Sequence, residues 1–112
     1  MTVTIYHNPR CSKSRLTLAL LEEQGIELQV VEYLKTPPDA ATLRGLLRKL
    51  GLGPRDILRR KEAAAAGIDS DLDDDALVEA MVANPVVIER PIVVHGDKAR
   101  LGRPPEQVLE IL

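Results

Sequence analysis

Within its first 33 residues the chain sets two apolar, β-branched segments on either side of a helix-periodic one, and this order constrains the fold more than any other feature. Val3 and Ile5, flanked by Thr2, Thr4 and Tyr6, read as a strand that Asn8-Pro9 stops. Leu16, Ala19, Leu20 and Glu23 recur at helical spacing. They predict a helix from about Ser12 to Gln24, with its apolar face supplied by the leucines and Gly25 as its carboxyl-terminal cap. Ile26 to Tyr33 reads as a second strand. So short a strand-helix-strand passage predicts a right-handed crossover between parallel strands, the first of them central in its sheet.

The rest of the chain adds helices and then a hairpin. Asp39 predicts the N-cap of a helix that carries Leu43, Leu46, Leu47 and Leu50 on one face and closes at Gly51. A helical turn from Pro54 through about Arg60 is expected to gather Arg55, Arg59, Arg60 and Lys61. Ala63 to Gly67 and the acidic run Asp69 to Asp75 read as a surface connection, its last aspartates opening a helix over Ala76 to Ala83 that Asn84-Pro85 stops. Gly96-Asp97 between apolar segments predicts an antiparallel hairpin, and Pro104-Pro105-Glu106 opens a final helix. The resulting order is βαβ, a helical insertion, then ββα. That is an α/β chain with a thioredoxin-like mixed sheet flanked by helices, expected to form a single domain over residues 1–112. By analogy with that fold, Arg90-Pro91, just before the third strand, is expected to be cis and to face the cysteine.

Composition narrows the function classes. Aromatic residues make up 2% of the chain and both are tyrosine, so the core must come from Leu, Val, Ile and Ala, and base-stacking platforms are excluded. A net charge of -2 argues against a general nucleic-acid binder. No apolar run approaches the length of a membrane span, and the amino terminus lacks the layout of a secretion signal. One cysteine cannot form an internal disulfide, which fits a reducing, cytoplasmic setting.

That cysteine lies where the first strand hands over to the helix, in His7-Asn8-Pro9-Arg10-Cys11-Ser12-Lys13-Ser14-Arg15. The first turn of a helix has unpartnered N–H groups and the positive end of the macrodipole, which favour a thiolate or a bound oxyanion. Arg10, Lys13 and Arg15 add positive charge, and no acid occurs before Glu22. A lone cysteine is ordinarily a small buried hydrophobe, but these neighbours make Cys11 a reactive thiol at an anion-binding loop. An imidazolium at His7 would favour its thiolate, whereas His95, in the hairpin turn, reads as solvated. Arg44, Arg48 and Arg100 read as solvent-facing salt-bridge formers. Arg90 and Arg103 differ, each preceding a proline at the end of a sheet element, where a planar fork could converge on a tetrahedral oxyanion.

Several sharper motifs fail. A phosphatase loop needs arginine at the sixth position after the cysteine, where Thr17 stands, and a redox pair needs a cysteine at Ser14. Asp69, Asp71 and Asp73 imitate a calcium loop, yet Asp74 and Ala80 occupy its glycine and glutamate positions. No metal site is expected.

The stretches Tyr6 to Arg15, Leu58-Arg59-Arg60-Lys61, Arg90-Pro91-Ile92-Val93-Val94 and Arg100-Leu101-Gly102-Arg103-Pro104 closely resemble the glutaredoxin-coupled arsenate reductases, over nearly the whole chain. The resemblance implies a catalytic Cys11, with His7 lowering its pKa. It also implies three arginines on the oxyanion, Arg59, Arg90 and Arg103, with Arg59 a better match than Arg60. It implies arsenate as substrate, glutathione as co-substrate, glutaredoxin as protein partner and no bound cofactor. The chain departs from some relatives at Gly102, where they carry a further cysteine. Two alternatives share the fold: a glutathione-dependent thiol reductase, which needs no arginine triad, and a polymerase-binding redox regulator, whose two-cysteine switch Ser14 removes.

Overall fold

A computed structural model describes residues 2–112. The chain divides into two compact units, one made of residues up to Thr36 together with Arg90–Leu112, the other of Pro37–Glu89.

The first unit holds a four-stranded mixed sheet. Strands β1 (Val3–His7), β2 (Leu28–Glu32), β3 (Ile92–His95) and β4 (Lys98–Leu101) lie in the order β2-β1-β3-β4. β1 pairs parallel with β2 and antiparallel with β3, which continues antiparallel into β4. Helix α1 (Ser12–Glu23) makes the crossover from β1 to β2, as its periodicity requires. Val3, Ile5, Leu21, Val93, Val108 and Ile111 form the buried core, the last two from a closing 3-10 helix at Pro105–Ile111. An α-helix was expected there; the segment winds tighter, in a short piece that opens on Pro105.

Leu18, Leu20 and Leu21 pack helix α1 on this core, as expected of its leucines, but the buried face also takes in two hydroxyl residues and leaves Leu16 out. Ser14, Thr17 and Leu21 are its buried residues, whereas Leu16 is 58% exposed. The two hydroxyls can be buried because each is satisfied locally. Thr17 Oγ1 donates to the Lys13 carbonyl at 2.8 Å, and Ser14 Oγ accepts the Asn8 N–H at 3.0 Å.

The second unit is helical. Asp39 caps α2 (Ala40–Leu50) by accepting the Thr42 N–H at 2.8 Å, and Gly51 ends it in a left-handed conformation with φ of 71°. A 3-10 turn at Pro54–Ile57 leads into α3 (Arg60–Ala65), so the alanines expected in a surface connection are helical instead. Lys61, Glu62 and Ala63–Ala65 are strong helix formers, and with only Ala63 buried they leave no apolar periodicity to read. The basic residues of this stretch are not gathered. Arg55 pairs with Asp74 at 2.6 Å, while Arg60 is exposed at the start of α3. Asp73 caps α4 (Asp74–Ala83) through the Ala76 N–H. The acidic run is thus a surface connection, as expected, up to Asp71, and then a cap with its ion-paired first turn.

Gly102 sits where β4 ends, and its N–H donates to the Pro91 carbonyl at 3.0 Å. A Cβ there would collide with Thr17 Oγ1 and come within 2.7 Å of Pro91 Cγ. Gly102→Ala is therefore expected to cost about 1–3 kcal/mol, the usual penalty for overpacking, and to lower the thermal midpoint by several degrees. An unchanged midpoint would show that Thr17 and Pro91 yield freely.

Candidate active site

The loop before α1 is built by its own polar groups. Asn8, buried, accepts the Arg10 N–H on its side chain (2.9 Å) and the Cys11 N–H on its carbonyl (3.0 Å), turning the chain sharply. Arg15 Nη1 donates to the Pro9 carbonyl at 3.0 Å, tying the helix back to the turn. Cys11 is then the N-cap of α1, in extended conformation, with its carbonyl accepting the first helical bond from Arg15. It is half-buried.

Burial alone pushes the Cys11 thiol pKa up. The Ser14 N–H, the Arg90 side chain through both hydrogen bond and charge, and the Lys13 N–H outweigh it, so the net shift is down. Arg103 Nη2 also reaches the sulfur, at 3.5 Å, while its Nε donates to the Arg90 carbonyl at 2.8 Å. Two guanidiniums from the far end of the sequence thus face one sulfur. The Arg90-Pro91 bond is cis, as the fold analogy predicts, and so is Arg103-Pro104, which the sequence did not suggest.

His7 ends β1 and is buried. Burial pushes its pKa down, the Glu32 carboxylate pulls it partly back, and Arg15 adds to the lowering. At neutral pH the ring is therefore uncharged, and the imidazolium expected beside the thiolate is not the resting form. His7 instead shares a 2.6 Å hydrogen bond, through Nδ1, with Ser14 Oγ. Ser14 is the residue that sequence reasoning missed: its side chain ties His7 to Asn8 while its N–H serves the sulfur. The signal is a hydroxyl at the third position of the helix, three residues past the cysteine, where a redox pair would carry its second cysteine.

The buried, neutral His7 has a consequence for stability. Its folded pKa lies below the unfolded value of about 6.5, so the unfolded chain binds more protons as pH falls. The contribution is fully present above about pH 6.5 and is lost as pH drops through that value toward the folded pKa. Denaturant midpoints should fall on acidification below about pH 6.5, and less steeply in His7→Gln. A His7 ring titration by NMR with a midpoint above 6.5 would contradict this reading.

The remaining candidates have definite places. Arg59, in the second unit, is half-buried and held by carboxylates: Nη1 donates to Glu89 at 2.6 Å and Nε lies 3.4 Å from Glu62. Burial opposes its charge, but these two acids more than offset that and raise its pKa. His95 is half-buried rather than solvated, because it closes β3 and its Nδ1 donates to the Ile111 carbonyl at 2.5 Å. Arg44 and Arg100 form exposed ion pairs with Asp75 and Glu110, as expected.

A βαβ start and a ββ hairpin, with one cysteine at the head of the first helix, define a thioredoxin-like fold. The chain belongs to the ArsC family, whose sequence model matches residues 6–111. It is 60% identical to the uncharacterized protein YfgD of Escherichia coli (strain K12), over 98% of this chain and 96% of that one. It is 47% identical to an arsenate reductase of Neisseria meningitidis serogroup A, over 98% and 97%. Among solved structures it resembles the arsenate reductase from Vibrio cholerae, with a TM-score of 0.90, 56% identity and coverage of 100% of this chain and 98% of that one. No helix among the described residues is long and apolar enough to cross a membrane.

Proposed function

We propose that this protein reduces arsenate to arsenite, with glutathione as co-substrate and glutaredoxin as the protein that completes the cycle. The observation that carries the proposal is the Cys11 sulfur, activated at the start of α1 and faced by both Arg90 and Arg103. A thiolate between guanidiniums suits attack on a tetrahedral oxyanion: the positive groups neutralise the anion's charge as sulfur approaches, and two planar forks match its oxygens. Names of relatives as arsenate reductases support the substrate.

In the proposed sequence the Cys11 thiolate forms a bond to arsenic, and an arsenate oxygen leaves as water after taking up protons. Glutathione sulfur then bonds to the Cys11 sulfur as the sulfur–arsenic bond breaks, its electron pair passing to arsenic, which departs as arsenite, and glutaredoxin removes the glutathione from the resulting Cys11 mixed disulfide to return the thiol. The balance is one arsenate and two thiols to one arsenite, one disulfide and one water. With one cysteine in the chain, the resolving thiol must come from another molecule. Arg90 and Arg103 take the oxyanion roles, and His7 acts through Ser14.

The test is arsenate-dependent NADPH oxidation with glutathione, glutaredoxin and glutathione reductase present. Turnover that disappears on omitting either arsenate or glutaredoxin is expected. Turnover of mixed disulfides without any response to arsenate would replace this reading with that of a thiol reductase.

A further inference from the structure

Strands β1 and β2 run parallel and end side by side, His7 in register with Glu32. Beyond their carboxyl ends, the usual place for ligands beside parallel strands, lies a cavity of about 280 Å³. The loop from His7 to Arg10 forms one wall, and Glu32, Leu34 and Lys35 form the other. Small-molecule sites run from about 300 to 1,000 Å³, so this cavity suits one end of a short peptide. The turn after β2 is built on the Glu32 carbonyl, which accepts the N–H groups of Lys35 at 2.9 Å and Thr36 at 3.0 Å. It folds Lys35 back on Glu32, with Nζ 3.5 Å from Oε1. One ammonium and one carboxylate therefore stand side by side on this wall. Arg10 adds an exposed guanidinium from the loop wall.

A wall of that kind complements an α-amino-acid head group, which carries a carboxylate and an ammonium on one carbon. Glutathione has this head group at its γ-glutamyl end, a second carboxylate at its glycine end and its thiol between them. Arg10 is the neighbour of Cys11, so their Cα atoms are about 3.8 Å apart, while an extended tripeptide spans about 10 Å. A peptide seated in the cavity thus has the reach to bring its thiol to Cys11. We propose that this cavity is the glutathione subsite, where Lys35 and Arg10 take the peptide's carboxylates, Glu32 takes its ammonium, and Pro9 and Leu34 cover its methylenes. The proposal rests on the reading of glutathione as the thiol that resolves Cys11.

The test uses thiol exchange at Cys11. The chain has one cysteine, so a thionitrobenzoate group joined by a disulfide marks that residue alone. An incoming thiolate bonds to the Cys11 sulfur as this disulfide breaks, and the electron pair leaves with thionitrobenzoate, whose absorbance gives the rate. Glutathione is compared with N-acetylcysteine, a thiol of equal net charge at neutral pH that lacks the amino-acid head group. With the parent, the rate should saturate with glutathione and rise linearly with N-acetylcysteine. Glu32→Gln and Lys35→Gln should each raise the half-saturating glutathione concentration roughly two- to fivefold, the scale of one exposed charge pair. Glu32→Gln discriminates by sign. Losing a carboxylate near the loop should leave an anion that feels only long-range charge as fast as before or faster, as N-acetylcysteine should be. Glutathione loses its ammonium partner and should slow below saturation. A glutathione rate that is linear in the parent, unchanged in both variants, or raised by Glu32→Gln in step with N-acetylcysteine overturns the proposal. No arsenate takes part, so the two readings fail separately. Saturable, head-group-dependent exchange without arsenate turnover keeps the subsite and removes the substrate, and arsenate turnover with unsaturable exchange does the reverse.

Discussion

Cys11→Ser is expected to lose all arsenate-dependent turnover, down to the background of the coupled assay, while melting no lower than the parent. The two halves of this result have one structural origin. Cys11 is the N-cap of α1, half-buried and extended, at the head of a helix with no acid in its first turn. Serine is among the preferred N-cap residues, because its oxygen accepts a first-turn N–H well. The N–H groups of Lys13 and Ser14 that lower the thiol pKa are the donors a serine would use. The variant should therefore fold, with a helix start stabilised by about 0.5–1 kcal/mol relative to a weak cap. Chemistry is lost because a hydroxyl is far from ionised at neutral pH, and because oxygen cannot share the oxidation that reduces arsenic. Sulfur passes through a mixed disulfide in the proposed cycle, and serine has no equivalent state. Arsenate turnover persisting in a folded Cys11→Ser protein would show that the nucleophile lies elsewhere, and the mechanism would fail at its first step.

Much of this arrangement is legible in the sequence wherever local chemistry decides it. The βαβ opening, the Asp39 cap, the Gly51 stop and the Gly96-Asp97 hairpin follow from residue types within a few positions of each other, and each is present. The face of α1 is different. Leu16, Ala19 and Leu20 look like its buried stripe, yet of these only Leu20 packs on the core while Ser14 and Thr17 are inside, because a hydroxyl that bonds its own turn or the preceding loop is cheap to bury. Hydrophobic periodicity cannot register a buried polar residue, and this helix buries two at the site that matters most. Helix α3 escaped for the opposite reason: alanine, lysine and glutamate form helix by propensity without marking a face.

The candidate site divides along the same line. Cys11 and its loop are local, and their chemistry is visible in nine consecutive residues. The contact of Arg103 with the sulfur joins positions 92 residues apart, and the turns before Pro91 and Pro104 only hint at it. The charge state of His7 depends on burial, which a strand-ending histidine does not advertise. One carboxylate on Arg59 is local, Glu62 in the next turn, but the nearer one, Glu89, comes from a distant segment, so an arginine expected to be available to an anion is already occupied. Residue type identified the groups; burial and partners, both tertiary, assign what each does.

Arg90→Gln should separate the two tasks of its guanidinium, with a loss of turnover of about 10²–10³, the usual cost of removing one preorganised donor from developing negative charge. Arg90 acts on Cys11 by hydrogen bond and by charge, and both lower the thiol pKa. Removing them raises it. Alkylation by iodoacetamide follows the thiolate fraction, so its midpoint should move to higher pH in the variant, with the rates near neutrality falling and those at high pH converging on the parent. If Arg90 served only to make thiolate, raising the pH would restore turnover along with alkylation. Because an oxyanion must also be held, turnover should stay depressed where alkylation has recovered, and the KM for arsenate should stay high. Arg90→Lys sharpens the distinction, since it returns the charge without the planar fork: its alkylation profile should lie close to the parent while its turnover remains low. An alkylation midpoint that does not move in Arg90→Gln would leave thiolate stabilisation to the α1 N–H groups and Arg103. Full recovery of turnover at high pH would take Arg90 out of anion binding altogether.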